Sequence, residues 1–241
     1  MTAHKLFEIL STMNRREMTR FREFAESPYH NKHREVRALA GYLSRIFPDF
    51  SERYCCREAV FRQIFPGESH DQARLALVFT YTRWLLERFL AQEPFEEAEA
   101  ERQLLVLGEL RRRKLFDLFE KNLPRAEATM GAGSSGGSGL YYRRYRLASE
   151  ADTYFTQVER RRTDDSLQVK ENQLDKFYLA VKLRDACEMQ VRRHILKIDY
   201  SSRLLEAVLR EVGDNLAEYG SDPAISLYYR IFLMVSREDP R

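Results

Sequence analysis

The chain reads as an all-α protein, and three observations predict it. Apolar residues recur at intervals of three and four along most of its length, which places them on one face of a helix. Proline, or a short polar residue suited to an N-cap, repeatedly interrupts that rhythm where a helix has to start or stop. No alternating run bounded by hairpin-turn residues offers a strand.

Leu6, Phe7, Ile9 and Leu10 fit a short first helix over about 3–12. Asn14 is placed to cap a second helix ending near Glu26, with Met18, Phe21, Phe24 and Ala25 on one stripe. Ser27-Pro28 closes it, because the residue before proline is pushed out of the α region. A third helix, about His33 to Phe47, sets Val36, Leu39, Ala40, Leu43 and Ile46 on one face and ends at Pro48. Ser51 suits the next cap, and a helix near 56–65 carries Ala59, Val60, Ile64 and Phe65 before Pro66-Gly67 stops it.

From Ser69 or Asp71 the most apolar helix runs over roughly 70–92. Its stripe is Leu75, Val78, Phe79, Thr82, Leu85, Leu86 and Phe89, while Leu77, Tyr81 and Trp84 cover much of the remaining circumference. A helix apolar on most sides is expected at the centre of a bundle, with the only tryptophan in the core. Beyond Pro94 the pattern predicts one long helix over about 96–122, acidic at its start and basic at Arg111 to Lys114, with Pro124 marking the exit.

Residues 131–139 then change character, because five of the ten glycines fall in these nine positions and no large apolar or charged side chain does. Such a stretch buries nothing and reads as an engineered flexible Gly/Ser linker that replaces a native loop. It divides the chain into an N-terminal helical bundle with a long helix, 1–130, and a C-terminal helical-hairpin region, 140–241, expected to pack on the first. In the latter, helices are expected over about 140–162, 166–197, 202–218 and 223–237. Asp165 and Ser201 are the expected N-caps, and Asp222-Pro223 supplies a cap followed by proline at the first helical position.

Composition narrows the setting. An apolar fraction of 44% suffices for a core without disulfides or metals, and three cysteines, two of them adjacent, make no disulfide framework. A reduced, cytoplasmic location is expected, with neither signal peptide nor membrane span. The 40 basic and 37 acidic side chains are spread evenly on both sides of the Gly/Ser stretch, which argues against nucleic-acid binding by bulk charge. Arginine outnumbers lysine 18 to 4 before that stretch and 14 to 4 after it, as expected of two pieces of one protein.

One pattern recurs: Tyr141-Tyr142, Phe177-Tyr178 and Tyr228-Tyr229 each open an aromatic, Tyr, two variable, apolar, variable, apolar run, at intervals of 36 and 51 residues. With these helices, and with Ser27-Pro28-Tyr29-His30-Asn31-Lys32 after a Phe-rich helix, the chain resembles the tetratricopeptide-like α-solenoids. More loosely it resembles the N-terminal part of long helical-repeat proteins of Bacteroidetes-type bacteria. The resemblance implies a protein-interaction scaffold whose concave face binds a partner. The end at Asp239-Pro240-Arg241, directly after an expected helix with no cap-like polar repeat, points to a natural protein that continues.

Catalytic signatures are lacking: there is no Gly-rich phosphate loop, no G-x-S-x-G and no H-E-x-x-H, so a non-catalytic protein without cofactor is expected. His30, His33, Cys55 and Cys56 do not have the separated-pair spacing of structural zinc, and no metal is expected. The function expected is binding of a protein or peptide partner through Tyr141, Tyr142, Arg143, Arg144, Tyr145 and Arg146, where aromatics anchor and arginines orient. The alternative is a nucleic-acid partner gripped by Arg/Tyr clusters, with Arg111, Arg112, Arg113, Lys114, Arg160, Arg161 and Arg162 as the basic patch.

Overall fold

A computed structural model describes residues 5–132, 137–158 and 165–237, and among them there are thirteen helices and no strand. None of these helices is long and apolar enough to cross a membrane. Two compact units divide the chain, Met1–Glu97 and Ala98–Arg241.

The first unit contains α1 (Lys5–Leu10), α2 (Arg15–Glu26), α3 (Arg34–Ile46), α4 (Glu52–Cys55), α5 (Arg57–Ile64) and α6 (Gln72–Glu97). Asn14 caps α2 as expected, within a full capping box: its side chain accepts from the Glu17 N–H at 2.9 Å, and Glu17 accepts from the Asn14 N–H at 2.7 Å. Asp71 opens α6, accepting from the Arg74 N–H at 3.0 Å. The last helix of the unit is central, for it packs on α1, α2, α3 and α5. Its stripe of Leu75, Val78, Phe79, Thr82, Leu85, Leu86 and Phe89 is buried, and the one hydroxyl in it, Thr82, donates to the Val78 carbonyl at 2.8 Å.

Two expectations for α6 do not hold. Its opposite face is uncovered: Trp84 is 51% exposed, and Leu77 and Tyr81 stand on the same side. Four neighbours on one side of a helix suffice to bury one stripe, and the remaining helix of the unit, the one-turn α4, packs on α5. The helix also continues through Pro94 and breaks at Ala98, since proline removes one rung of the hydrogen-bond ladder and leaves the rungs after it intact.

The second unit contains α7 (Glu99–Arg112), α8 (Phe116–Ala132), α9 (Ser138–Val158), α10 (Ser166–Leu196), α11 (Leu205–Asp214), α12 (Leu216–Tyr219) and α13 (Pro223–Arg237). The long helix expected over 96–122 is therefore two helices packed as a hairpin, and Pro124 lies inside α8. A Schellman turn separates them. Lys114 adopts a left-handed φ of 58°, its N–H donates to the Arg111 carbonyl at 3.0 Å, and the Leu115 N–H donates to the Leu110 carbonyl at 2.9 Å. With the break at Arg113, the basic run falls in the last turn of α7, where the helix dipole favours it.

Residues 98–130, grouped by composition with the N-terminal bundle, share a core with α9. Leu107, Phe119, Met130, Leu147 and Tyr154 form one cluster, Phe119 stacks on Tyr154 at 4.3 Å, and the Tyr154 hydroxyl donates to Glu120 at 2.6 Å. The Gly/Ser stretch thus joins two helices that pack on each other, and both helices extend into its ends at Ala132 and Ser138. Its middle, 133–136, lies outside the described residues, as does the 159–162 end of the expected 140–162 helix.

The longest helix, α10, packs between α9 and α13. The three recurring aromatic segments meet there: Tyr141, Phe177, Tyr228 and Tyr229 belong to one cluster with Leu179, Leu183 and Ile225. Asp222 caps α13 ahead of Pro223 as expected, its carboxylate accepting from the Ala224 and Ile225 N–H groups. Ser201 does not cap α11, which starts four residues later after Leu204 in a left-handed conformation. Asp165 precedes α10 without a side-chain cap bond.

Candidate functional site

The six residues expected to contact a partner lie on the first turns of α9, and helical geometry scatters them. Tyr141 is 4% exposed and its hydroxyl donates to Asp222, so it belongs to the interior and is unavailable to a partner. Tyr142 is exposed but leans on Phe177 at 5.1 Å and on Tyr145 at 6.4 Å. Arg146 pairs with Glu101 while lying 5.8 Å over the Tyr142 ring. Arg143 and Tyr145 are half-buried, and only Tyr142 and Arg144 of the six are exposed.

Of the four described residues of the alternative basic patch, three face carboxylates. Arg111 meets Glu150 at 2.7 Å across α7 and α9, approached closely because Gly108 puts no side chain in the way. Arg112 and Arg113 share Glu109. Lys114 is exposed at the Schellman turn. Arg160, Arg161 and Arg162 lie outside the described residues. A hollow of about 380 Å³ does open beside Arg144, between α8, α9 and α10, walled by Leu123, Met130, Leu147, Phe155 and Val169.

A different site assembles in the first unit, from the uncovered face of α6 and the loop between α2 and α3. The loop is held from inside. Asn31 is buried, its Nδ2 donates to the Ala25 carbonyl at 2.8 Å and the His33 carbonyl at 3.3 Å, and its Oδ1 accepts from the His33 N–H at 2.9 Å. The first part of the loop is a turn in which the His30 and Asn31 N–H groups both donate to the Ser27 carbonyl. Bracing at one residue fixes what its neighbours present. Tyr29 projects at 89% exposure, His30 stacks on Phe24 at 3.9 Å, and His33 stacks on Tyr81 of α6 at 5.0 Å with the rings nearly parallel.

Tyr81 in turn packs against Trp84 at 5.7 Å, and Arg88, one turn further along α6, donates from Nη1 to the His30 carbonyl at 3.2 Å. Together these groups line a cleft of about 390 Å³, with Tyr29, His33, Tyr81 and Trp84 as aromatic surface and Lys32 and Arg88 as cations. That volume is in the range of built ligand sites. The sequence carried a signal for it, since Tyr81 and Trp84 sit on one face of α6, three residues apart, off the buried stripe.

Burial first, then the Asp49 charge, pushes the Cys55 thiol up to about 11, and burial raises Cys187 as well, so neither is an activated thiolate. His30 and His33 are each stacked on a ring, and no three His, Cys, Asp or Glu side chains converge among the described residues. Compared with protein-family models, curated proteins and solved structures, the chain matches none.

Proposed function

We propose that the protein is a non-catalytic helical scaffold of the cytoplasm that binds a peptide segment of a protein partner in the cleft between α6 and the α2–α3 loop. One observation carries this reading: the single tryptophan stands half-exposed beside Tyr81 and Tyr29 over a loop that Asn31 holds rigid. Contiguous exposed aromatics of this size mark interaction surfaces. Tryptophan, tyrosine and arginine are the side chains on which interface energy concentrates, and a braced loop spares a ligand the entropy of ordering it. The Gly/Ser stretch, a replaced loop in this reading, takes no part in binding. A nucleic-acid partner is the weaker reading, because Arg111, Arg112, Arg113 and Arg146 already face carboxylates and counterion release needs free cations.

The test is selection of a random dodecapeptide display library on the whole chain, with Trp84→Ala and Tyr81→Ala chains as counter-selection. Circular dichroism checks that both variants keep their helix content. The expected result is a set of peptides retained by the unaltered chain and lost on Trp84→Ala. If every retained peptide binds both chains equally, the cleft is not the binding site and the reading falls.

A further inference from the structure

Resting on that reading, we infer that the partner segment is acidic: it lays an apolar side chain against Tyr81 and Trp84 and sets carboxylates against Lys32 and Arg88. The ionisable groups lining the cleft, other than the tyrosines, are His30, Lys32, His33 and Arg88, and no carboxylate is among the lining residues. The other two cations of α6 are answered, Arg83 by Glu87 at 2.9 Å and Arg74 by both Glu68 and Glu35. Among the described residues no carboxylate lies within ion-pair distance of Lys32 or Arg88.

Of the three arginines of α6, Arg88 alone has no ion pair among the described residues. Residues 1–97 carry 15 basic and 14 acidic side chains, so the unit as a whole has no basic excess. Arg88 is positioned as well as free. One guanidinium N–H is spent on the His30 carbonyl, which tethers the group to the loop that carries Lys32 and leaves its other donors for a ligand. The brace at Asn31 directly precedes Lys32 and fixes its backbone.

The chemistry discriminates between occupants. Aromatic faces alone attract cations, but Lys32 and Arg88 repel them from this cleft. A nucleic-acid strand needs several free cations along a track, whereas the lining of the cleft supplies two, Lys32 and Arg88. A short segment with one apolar anchor between carboxylates satisfies both the aromatic surface and the two cations.

The experiment reads the charge of the dodecapeptides that depend on Trp84. Expected is enrichment of Asp and Glu around an apolar residue, and about tenfold tighter binding of a selected peptide than of its Asn/Gln isostere, as two solvent-exposed ion pairs supply. That ratio should shrink with added salt. In the Lys32→Gln, Arg88→Gln double variant, and partially in Lys32→Gln alone, the ratio should approach one while the isostere binds as before. Trp84-dependent peptides without acidic enrichment would overturn this inference and leave the peptide reading standing. No Trp84-dependent peptide at all would overturn both. A twelve-residue oligothymidylate that quenches Trp84 fluorescence at lower concentration than any peptide would also overturn it, in favour of nucleic acid.

Discussion

Tyr141 and Asp222, 81 positions apart, meet in the interior of the second unit, where the phenol of α9 donates to the carboxylate that caps α13. Lys176 of α10 stands 3.4 Å from the other carboxylate oxygen, so three helices share one buried acid. Removing the phenol oxygen leaves that acid short of a donor. Tyr141→Phe is expected to cost about 2 kcal/mol, the usual loss for a hydrogen bond to a charged group, read from urea denaturation followed by far-UV circular dichroism.

The same acid makes stability pH-dependent. Burial raises the Asp222 pKa above its ordinary value of 3.8 and outweighs the opposing pull of the Ala224 and Ile225 N–H groups. The folded state therefore holds this proton more tightly than the unfolded one. Its contribution is greatest below the ordinary value and is lost as pH rises through the raised one. Asp222→Asn does not titrate, so the stability of the unaltered chain relative to this variant should fall as pH climbs through that window. A difference that grows with pH would mean that Lys176 and the cap bonds outweigh burial.

Within the first unit, Asn31 and Trp84 should behave oppositely. Asn31→Ala deprives the Ala25 and His33 carbonyls and the His33 N–H of a buried partner and is expected to cost about 1–3 kcal/mol. Asn31→Asp, which keeps the acceptor and loses both donors, should not rescue it. Trp84→Ala, on the uncovered face, should change stability by no more than about 0.5 kcal/mol. Thermal melts followed by circular dichroism compare the three.

The turn between α7 and α8 holds strain that glycine would relieve. Lys114 has the left-handed conformation that a Schellman turn demands and pays the Cβ clash that goes with it. Lys114→Gly should stabilise by about 0.5–1 kcal/mol after the extra entropy of glycine is counted, measured as a higher urea midpoint at unchanged m-value.

Periodicity made most helices legible, and it made the buried stripe of α6 legible residue by residue from Leu75 to Phe89. It could not tell which of two apolar faces would be covered, because that depends on how many helices the rest of the unit supplies; hence Trp84 was expected inside. The break at Lys114 was hidden because no glycine or proline marks it, although the run from Arg111 is what a helix C-terminus would carry. Tyr141 to Arg146 has the composition of a contact surface, yet successive residues on a helix turn by 100° and face different surroundings. The cleft draws on two segments about 50 residues apart, so the Tyr81 and Trp84 pair was visible on α6, and its meeting with Tyr29, Lys32 and His33 of the loop was not.

The two faces of α6 have a consequence for how this protein can vary. Core and display share one screw, so they are locked in phase. Deleting a single residue near Asp71 would rotate everything after it by about 100°, swinging the Leu75 stripe away from its neighbours and Trp84 away from the loop. Insertions and deletions should therefore be confined to the ends of this helix and to loops, while substitutions at Leu77 and Trp84 change the exposed face without touching the buried stripe.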